Sequence, residues 1–241
     1  MYNNLVVNGC SYMQAYADGG GHQHLAQQLG IPTAQSLAIG GSSNTRIMRT
    51  VLKHSYQTSE PTFYVLGMTF LSRLEVPILK NFSEFEGRWT NPQNQEFKNR
   101  WEHNWTDRDT ELFVELKLKT EVYSILDRLE DLQYRMLSLV HDLRSRGHGV
   151  VMYQQADNLY QEFLDNPKLE PLKTCPEIID GYRWRAVSWQ LENGVPAMDY
   201  GKNTIHHVPA DMHHPAPGHH AMLNEYLKNY IVDRLQLFTQ V

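Results

Sequence analysis

Four short apolar runs alternate along this chain with segments of helical period: Leu5, Val6, Val7; Ser36, Leu37, Ala38, Ile39; Phe63, Tyr64, Val65, Leu66; and Val150, Val151, Met152, Tyr153. Runs this short, with β-branched or aromatic residues and a glycine at or near one end, read as buried strands. Between the first and second lies a helical pattern through Leu25, Ala26 and Leu29. Between the second and third another runs through Ile47, Val51 and Leu52, with Ser42, Ser43 or Asn44 available to cap it. Before the fourth comes a long helical region from about 112 to 146, with Leu126, Leu129, Leu132, Met136, Leu137, Val140 and Leu143 at three- and four-residue spacing. Such alternation implies right-handed crossovers and a parallel sheet with helices on its faces.

A chain of 241 residues fits one large domain, and its composition forces no division. The expected organisation is a single α/β domain over 1–241 with an insertion after the third strand, at about 77–111, where Phe82, Phe85, Trp89, Phe97, Trp101 and Trp105 are scattered without period. Residues 157–204 carry prolines and a Tyr182, Trp184, Trp189 cluster but no assignable element. A last helix is expected from Pro217 or Gly218. At 41% hydrophobic residues the chain can bury a substantial core.

The formal charge of -5, from 22 basic and 27 acidic residues, gives no basic field for a polyanion, so no nucleic-acid partner is expected. Met1 to Asn4 lacks the basic region and apolar stretch of a secretory signal, and no run of about 18 apolar residues would span a bilayer. The expectation is a cytoplasmic protein with no membrane partner; oligomeric state is left open. Two cysteines, Cys10 and Cys175, make no disulfide framework.

The chemistry gathers at Leu5 to Tyr12. A strand followed at once by Gly9 turns sharply and presents Ser11 at a strand's carboxyl end, where open α/β sheets bind ligands. Ser11 is a nucleophile only with a base and an oxyanion site. Far along the chain, Asp211 and His214 stand three residues apart, a spacing that lets the carboxylate orient the imidazole while its other nitrogen faces Ser11. Gly41, after the second strand, and the Ser11 backbone can each offer an N–H to an oxyanion, and Gly67, Met68, Thr69 close the third strand at a place for a further donor.

These residues resemble the SGNH, or GDSL-like, hydrolase family over nearly the whole chain. Gly9, Cys10, Ser11 stand where that family has Gly-Asp-Ser, Gly41 where it has its second-block glycine, Gly67, Met68, Thr69 where it has Gly-x-Asn, and Asp211 with His214 where it has Asp-x-x-His. The resemblance implies a three-layer α/β/α sandwich with a mostly parallel central sheet of flavodoxin-like topology. It also implies a serine esterase or acyl hydrolase that acts on a small acyl ester, including O-acetylated carbohydrates. Ser11, His214 and Asp211 would be its triad, Ser11, Gly41 and Thr69 its oxyanion hole, and it would use no cofactor and no metal. The chain departs from the family pattern at Cys10, in place of Asp, and at Thr69, in place of an Asn amide; Asn44 is a candidate to lend an amide instead. Acyl transfer to a sugar hydroxyl needs only a different second nucleophile, and a non-catalytic binding module is the alternative that the two departures motivate.

Ser11 alone would be an ordinary loop serine; the ordered set of motifs gives it weight. His206, His207, His213, His214, His219 and His220 fall within 15 residues, a density that suits a transition metal, yet no His-Glu-x-x-His accompanies them. Aromatics of the insertion are ordinarily packing residues, but an insertion beside the oxyanion strand makes Trp89, Trp101 and Trp105 candidates to line an acyl or sugar pocket. Arg73 either pairs with Glu75 to hold its loop or touches substrate.

Overall fold

Strand β1 (Asn4–Gly9) runs parallel to β2 (Thr33–Ser36) on one side and to β3 (Thr62–Met68) on the other, with Leu5 opposite both Ala34 and Phe63. The computed structural model describes residues 1–40, 42–69, 74–76, 88–90, 125–154, 170–179 and 217–236. After β3, strands β4 (Leu74–Val76) and β5 (Arg88–Thr90) form a separate antiparallel pair. The main sheet resumes with β6 (Gly149–Gln154) beside β3 and ends with β7 (Ile178–Ile179) beside β6, both parallel. Its order is β2-β1-β3-β6-β7. Counted over these five strands alone this is the flavodoxin-like, doubly wound order.

The helices divide between the two faces as the period-two alternation of the strands requires. Leu5, Val7, Phe63, Val65, Val151 and Tyr153 turn to one face, where they pack with residues of α1 (Ser11–Asp18), α2 (Gly21–Gln28) and the last helix of the chain. Val6, Tyr64, Leu66, Val150 and Met152 turn to the other, against Ile47, Met48 and Val51 of α3 (Asn44–Gln57) and Leu132, Met136, Leu139, Val140 and Leu143 of α4 (Ile125–Ser145). A short α5 (Glu170–Thr174) precedes β7, and α6 (Pro217–Asp233) closes the first face with Leu223, Leu227 and Ile231. The molecule is therefore an α/β/α sandwich, and every residue of β3 is buried. Among the described residues no helix is long and apolar enough to cross a membrane.

Three elements differ from the sequence expectation for identifiable reasons. The polar stretch after Ser11 is a helix, α1, because Met13, Tyr16 and Ala17 recur at three- and one-residue spacing and are buried together. β2 is Thr33–Ser36 rather than the apolar run that follows it. As an edge strand it is only half-buried and shows no apolar signature, although the Leu37 and Ile39 N–H groups still donate to the Val7 and Gly9 carbonyls, at 2.8 and 3.3 Å. β7, with two residues, is too short to be seen as a pattern.

The crossover out of β1, α1 with α2, lies on one face, while α3, which leads from β2 into β3, lies on the other. The chain parts between β1 and β3, so the crevice at their carboxyl ends is the switch point of the sheet.

Candidate active site

Gly9 ends β1 opposite Gly67 of β3. A Cβ at Gly9 would stand 2.4 Å from Met13 Cγ and 2.9 Å from the Gly67 carbonyl oxygen, so no larger residue lets β1 pass both the following helix and the neighbouring strand. Cys10, fully buried with extended backbone, is the N-cap residue of α1, and Ser11, partly exposed, is its first residue. The first bond of the helix runs from the Gln14 N–H to the Cys10 carbonyl at 2.9 Å. The Ser11 and Tyr12 N–H groups therefore have no intrahelical acceptor and sit at the positive end of the helix dipole.

A glycine turn reaches Ser11 from the edge of the sheet. It closes where the Ser42 N–H donates to the Ile39 carbonyl at 3.2 Å, with the Ser42 hydroxyl donating to the same oxygen at 2.7 Å. A Cβ at Gly40 would lie 3.8 Å from Ser11 Cβ. Three neighbours hold this turn. From β1, the Gly9 carbonyl accepts the Ile39 N–H; from α1, Gln14 Oε1 accepts the Gly40 N–H at 2.6 Å; from α3, the buried Arg46 donates from Nη1 to Ser42 Oγ at 2.9 Å.

Thr69 stands two residues beyond Gly67 in the chain, as Ser11 stands two beyond Gly9, with which Gly67 pairs. Its backbone is clamped by Asn44, the first residue of α3: Asn44 Oδ1 accepts the Thr69 N–H at 2.7 Å and Asn44 Nδ2 donates to the Thr69 carbonyl at 3.0 Å. The Thr69 N–H and carbonyl are thereby both committed to the Asn44 amide. The helix that presents Asn44 is capped by Ser43, whose hydroxyl accepts the Arg46 N–H at 3.1 Å. It is also pinned to β1 by Asn8. That fully buried amide donates to the Ile47 carbonyl at 3.0 Å and to Thr50 Oγ1 at 2.7 Å, and accepts the Gly9 N–H at 2.9 Å.

On the opposite face, Tyr16 of α1 donates from its buried hydroxyl to Asn224 Oδ1 of α6, the helix that follows His214 in the chain. Burial pushes the Tyr16 phenol far above its ordinary range, so it stays a donor. The helix that opens with Ser11 and the helix that succeeds the Asp211, His214 pair are thus joined by a polar contact inside the core.

Of the residues that the sequence singles out, Ser11, Asn44 and Thr69 stand at the same end of the sheet. Gly41, Arg73, Trp101, Trp105, Asp211 and His214 lie outside the described residues, as does the histidine run from His206 to His214. Trp89 is described only in its backbone, which pairs with Glu75 across β4 and β5. Among the described residues no group of three His, Cys, Asp or Glu side chains could hold a metal ion. Asn8, Gln14 and Arg46 are site-building residues that the sequence pattern did not single out, and Ser42 stands in that pattern only as a possible helix cap; Asn8, a polar residue inside an apolar strand, carried the one visible signal.

No family model and no curated protein matches this chain. Among solved structures, the chain is similar to a candidate acylhydrolase from Bacteroides fragilis NCTC 9343, with 12% sequence identity and a TM-score of 0.42 over 95% of this chain and 86% of that one.

Proposed function

We propose that this chain is a serine acyl hydrolase of the SGNH, or GDSL-like, kind, acting on a small acyl ester, with O-acetylated carbohydrates as the first substrate class to test. Ser11 Oγ attacks the ester carbonyl as His214 takes its proton, and Asp211 orients the imidazole and stabilises its cation. The tetrahedral oxyanion is met by the N–H groups of Ser11 and Gly41 and by the Thr69 hydroxyl. His214 then gives its proton to the leaving alcohol, and water, deprotonated by the same imidazole, releases the acyl group from Ser11.

The observation that carries this reading is the position of Ser11. It follows a turn that only glycine permits, opens a helix at the sheet's switch point, and lies beside a glycine turn held from three sides. Helix N-termini and converging backbone N–H groups favour developing negative charge. A sugar hydroxyl in place of water would give acyl transfer by the same steps, seen as an acylated acceptor among the products.

Hydrolysis of p-nitrophenyl acetate by the wild type, Ser11→Ala, His214→Ala and Asp211→Asn tests the reading. Loss of turnover by about 10³-fold or more in the first two variants supports it. Turnover that survives Ser11→Ala and disappears with a chelator would transfer the chemistry to the histidine cluster.

A further inference from the structure

We infer that Gln14 is a positioning residue for the oxyanion site: its side-chain carbonyl latches the glycine turn against the helix that carries Ser11. The inference rests on the esterase reading and adds a residue to it.

Gln14 lies three residues after Ser11 on α1, so both side chains share the helix face that looks toward the glycine turn. Its Oε1 accepts the Gly40 N–H at 2.6 Å, just shorter than the ordinary range for such bonds. Gly40 is the residue directly before Gly41, the proposed oxyanion donor. With the Gly40 N–H turned to Gln14, the Ile39–Gly40 peptide is held against α1, one residue before the proposed donor. Ser11 supplies the other backbone donor from that same helix. One element therefore carries the nucleophile and also holds the turn that must meet it.

The other restraints on this turn act elsewhere: the Gly9 carbonyl holds Ile39 and Arg46 holds Ser42, the two ends of the turn, while Gln14 reaches its middle. The glycine at position 40 leaves room for this contact, since a Cβ there would stand a tight 3.0 Å from Gln14 Oε1. Gln14 is also exposed. An exposed hydrogen bond contributes little to folding stability, so the consequence of losing this one should appear in geometry rather than in unfolding. A displacement of about 1 Å at a reacting centre can cost up to 10²-fold in rate.

Gln14→Met removes the acceptor at nearly constant size, and Gln14→Glu keeps it. Ester turnover, thermal unfolding and hydrogen exchange at the Gly40 amide are measured for the wild type and both variants, with Ser11→Ala as the baseline. The expected result is a fall in kcat of about 10- to 100-fold in Gln14→Met with KM within about twofold. Its melting temperature should be unchanged, and the Gly40 amide should exchange faster. Gln14→Glu should recover protection of that amide and much of kcat, with the acidic limb of kcat/KM moved to higher pH, because a carboxylate one turn from Ser11 favours the protonated base. Ser11-dependent turnover that is equal in the wild type and Gln14→Met, or a Gly40 amide indifferent to both changes, overturns the latch while leaving the esterase reading intact. Turnover that does not depend on Ser11 overturns both.

Discussion

Asn44 and Thr69 meet through two reciprocal hydrogen bonds, with the side-chain amide of the first satisfying both the N–H and the carbonyl of the second, at 2.7 and 3.0 Å. Both residues are buried, so neither backbone group has water as a substitute. The contact ties the first turn of α3 to the end of the central strand. It holds the Thr69 backbone in place just beyond the carboxyl end of β3.

Asn44→Ala leaves a buried donor and a buried acceptor without partners, and is expected to lower the unfolding free energy by about 1–3 kcal/mol. Urea denaturation measures it. Asn44→Asp, which still accepts the Thr69 N–H but cannot donate to its carbonyl, should weaken ester turnover as well; equal stability in all three proteins would mean that the clamp is dispensable.

Gly9→Ala forces a methyl group against the Gly67 carbonyl, a backbone atom that cannot move aside as a flexible side chain can. Overpacking of this kind typically costs about 1–3 kcal/mol. The melting temperature should fall, and Ser11-dependent turnover should fall with it, because the strand and the first turn of α1 must part to make room.

The Tyr16–Asn224 contact joins α1 to α6. Tyr16→Phe and Asn224→Leu should each destabilise the protein by about 1–3 kcal/mol, because each leaves the other's polar group buried. The double variant should lose less than the sum, a coupling that a double-mutant cycle reads directly. Additive losses would show that the two side chains do not depend on each other.

Acid should weaken the fold through two histidines at the far end of the sheet. His148 accepts the Thr62 N–H on Nδ1 at 3.2 Å, and burial first, with Arg146 adding, holds its pKa below the ordinary 6.5. His54, whose Nδ1 is 2.8 Å from the Tyr64 hydroxyl, is lowered by burial and then by His148. Both rings are neutral in the folded protein, so near and below pH 6.5 the unfolded chain binds protons that the folded one does not. Stability is therefore full above about pH 6.5 and declines as pH drops from there toward the lowered values. His148→Gln, which can accept the same N–H without titrating, should flatten that decline in urea midpoints taken from about pH 8 to pH 5. A wild type with constant midpoints across that range would contradict the prediction.

Much of the layer architecture is written in the apolar periods. Phe63 to Leu66 and Val150 to Tyr153 are buried on both faces and announce themselves as strands, while Leu132 to Leu143 show their helix by spacing alone. Thr33 to Ser36 are hidden because an edge strand needs no apolar run, and Ser11 to Asp18 because an eight-residue helix offers too few positions for a period to emerge. At the candidate site, the glycine that turns β1 and the serine behind it are legible, since a backbone constraint leaves a residue-specific mark. Gln14 and Arg46 are not, nor is the clamp that Asn44 makes on Thr69, because their work is to hold backbone or a hydroxyl brought near by the fold, and no local spacing encodes such a contact.

The central claim is that Ser11 is an activated nucleophile, and covalent trapping tests it without knowledge of the natural ester. Treatment with a fluorophosphonate followed by peptide mass spectrometry should give one adduct, on Ser11, absent from Ser11→Ala and strongly slowed in His214→Ala. A wild type that forms no adduct, or one whose adduct persists in Ser11→Ala, would contradict the account.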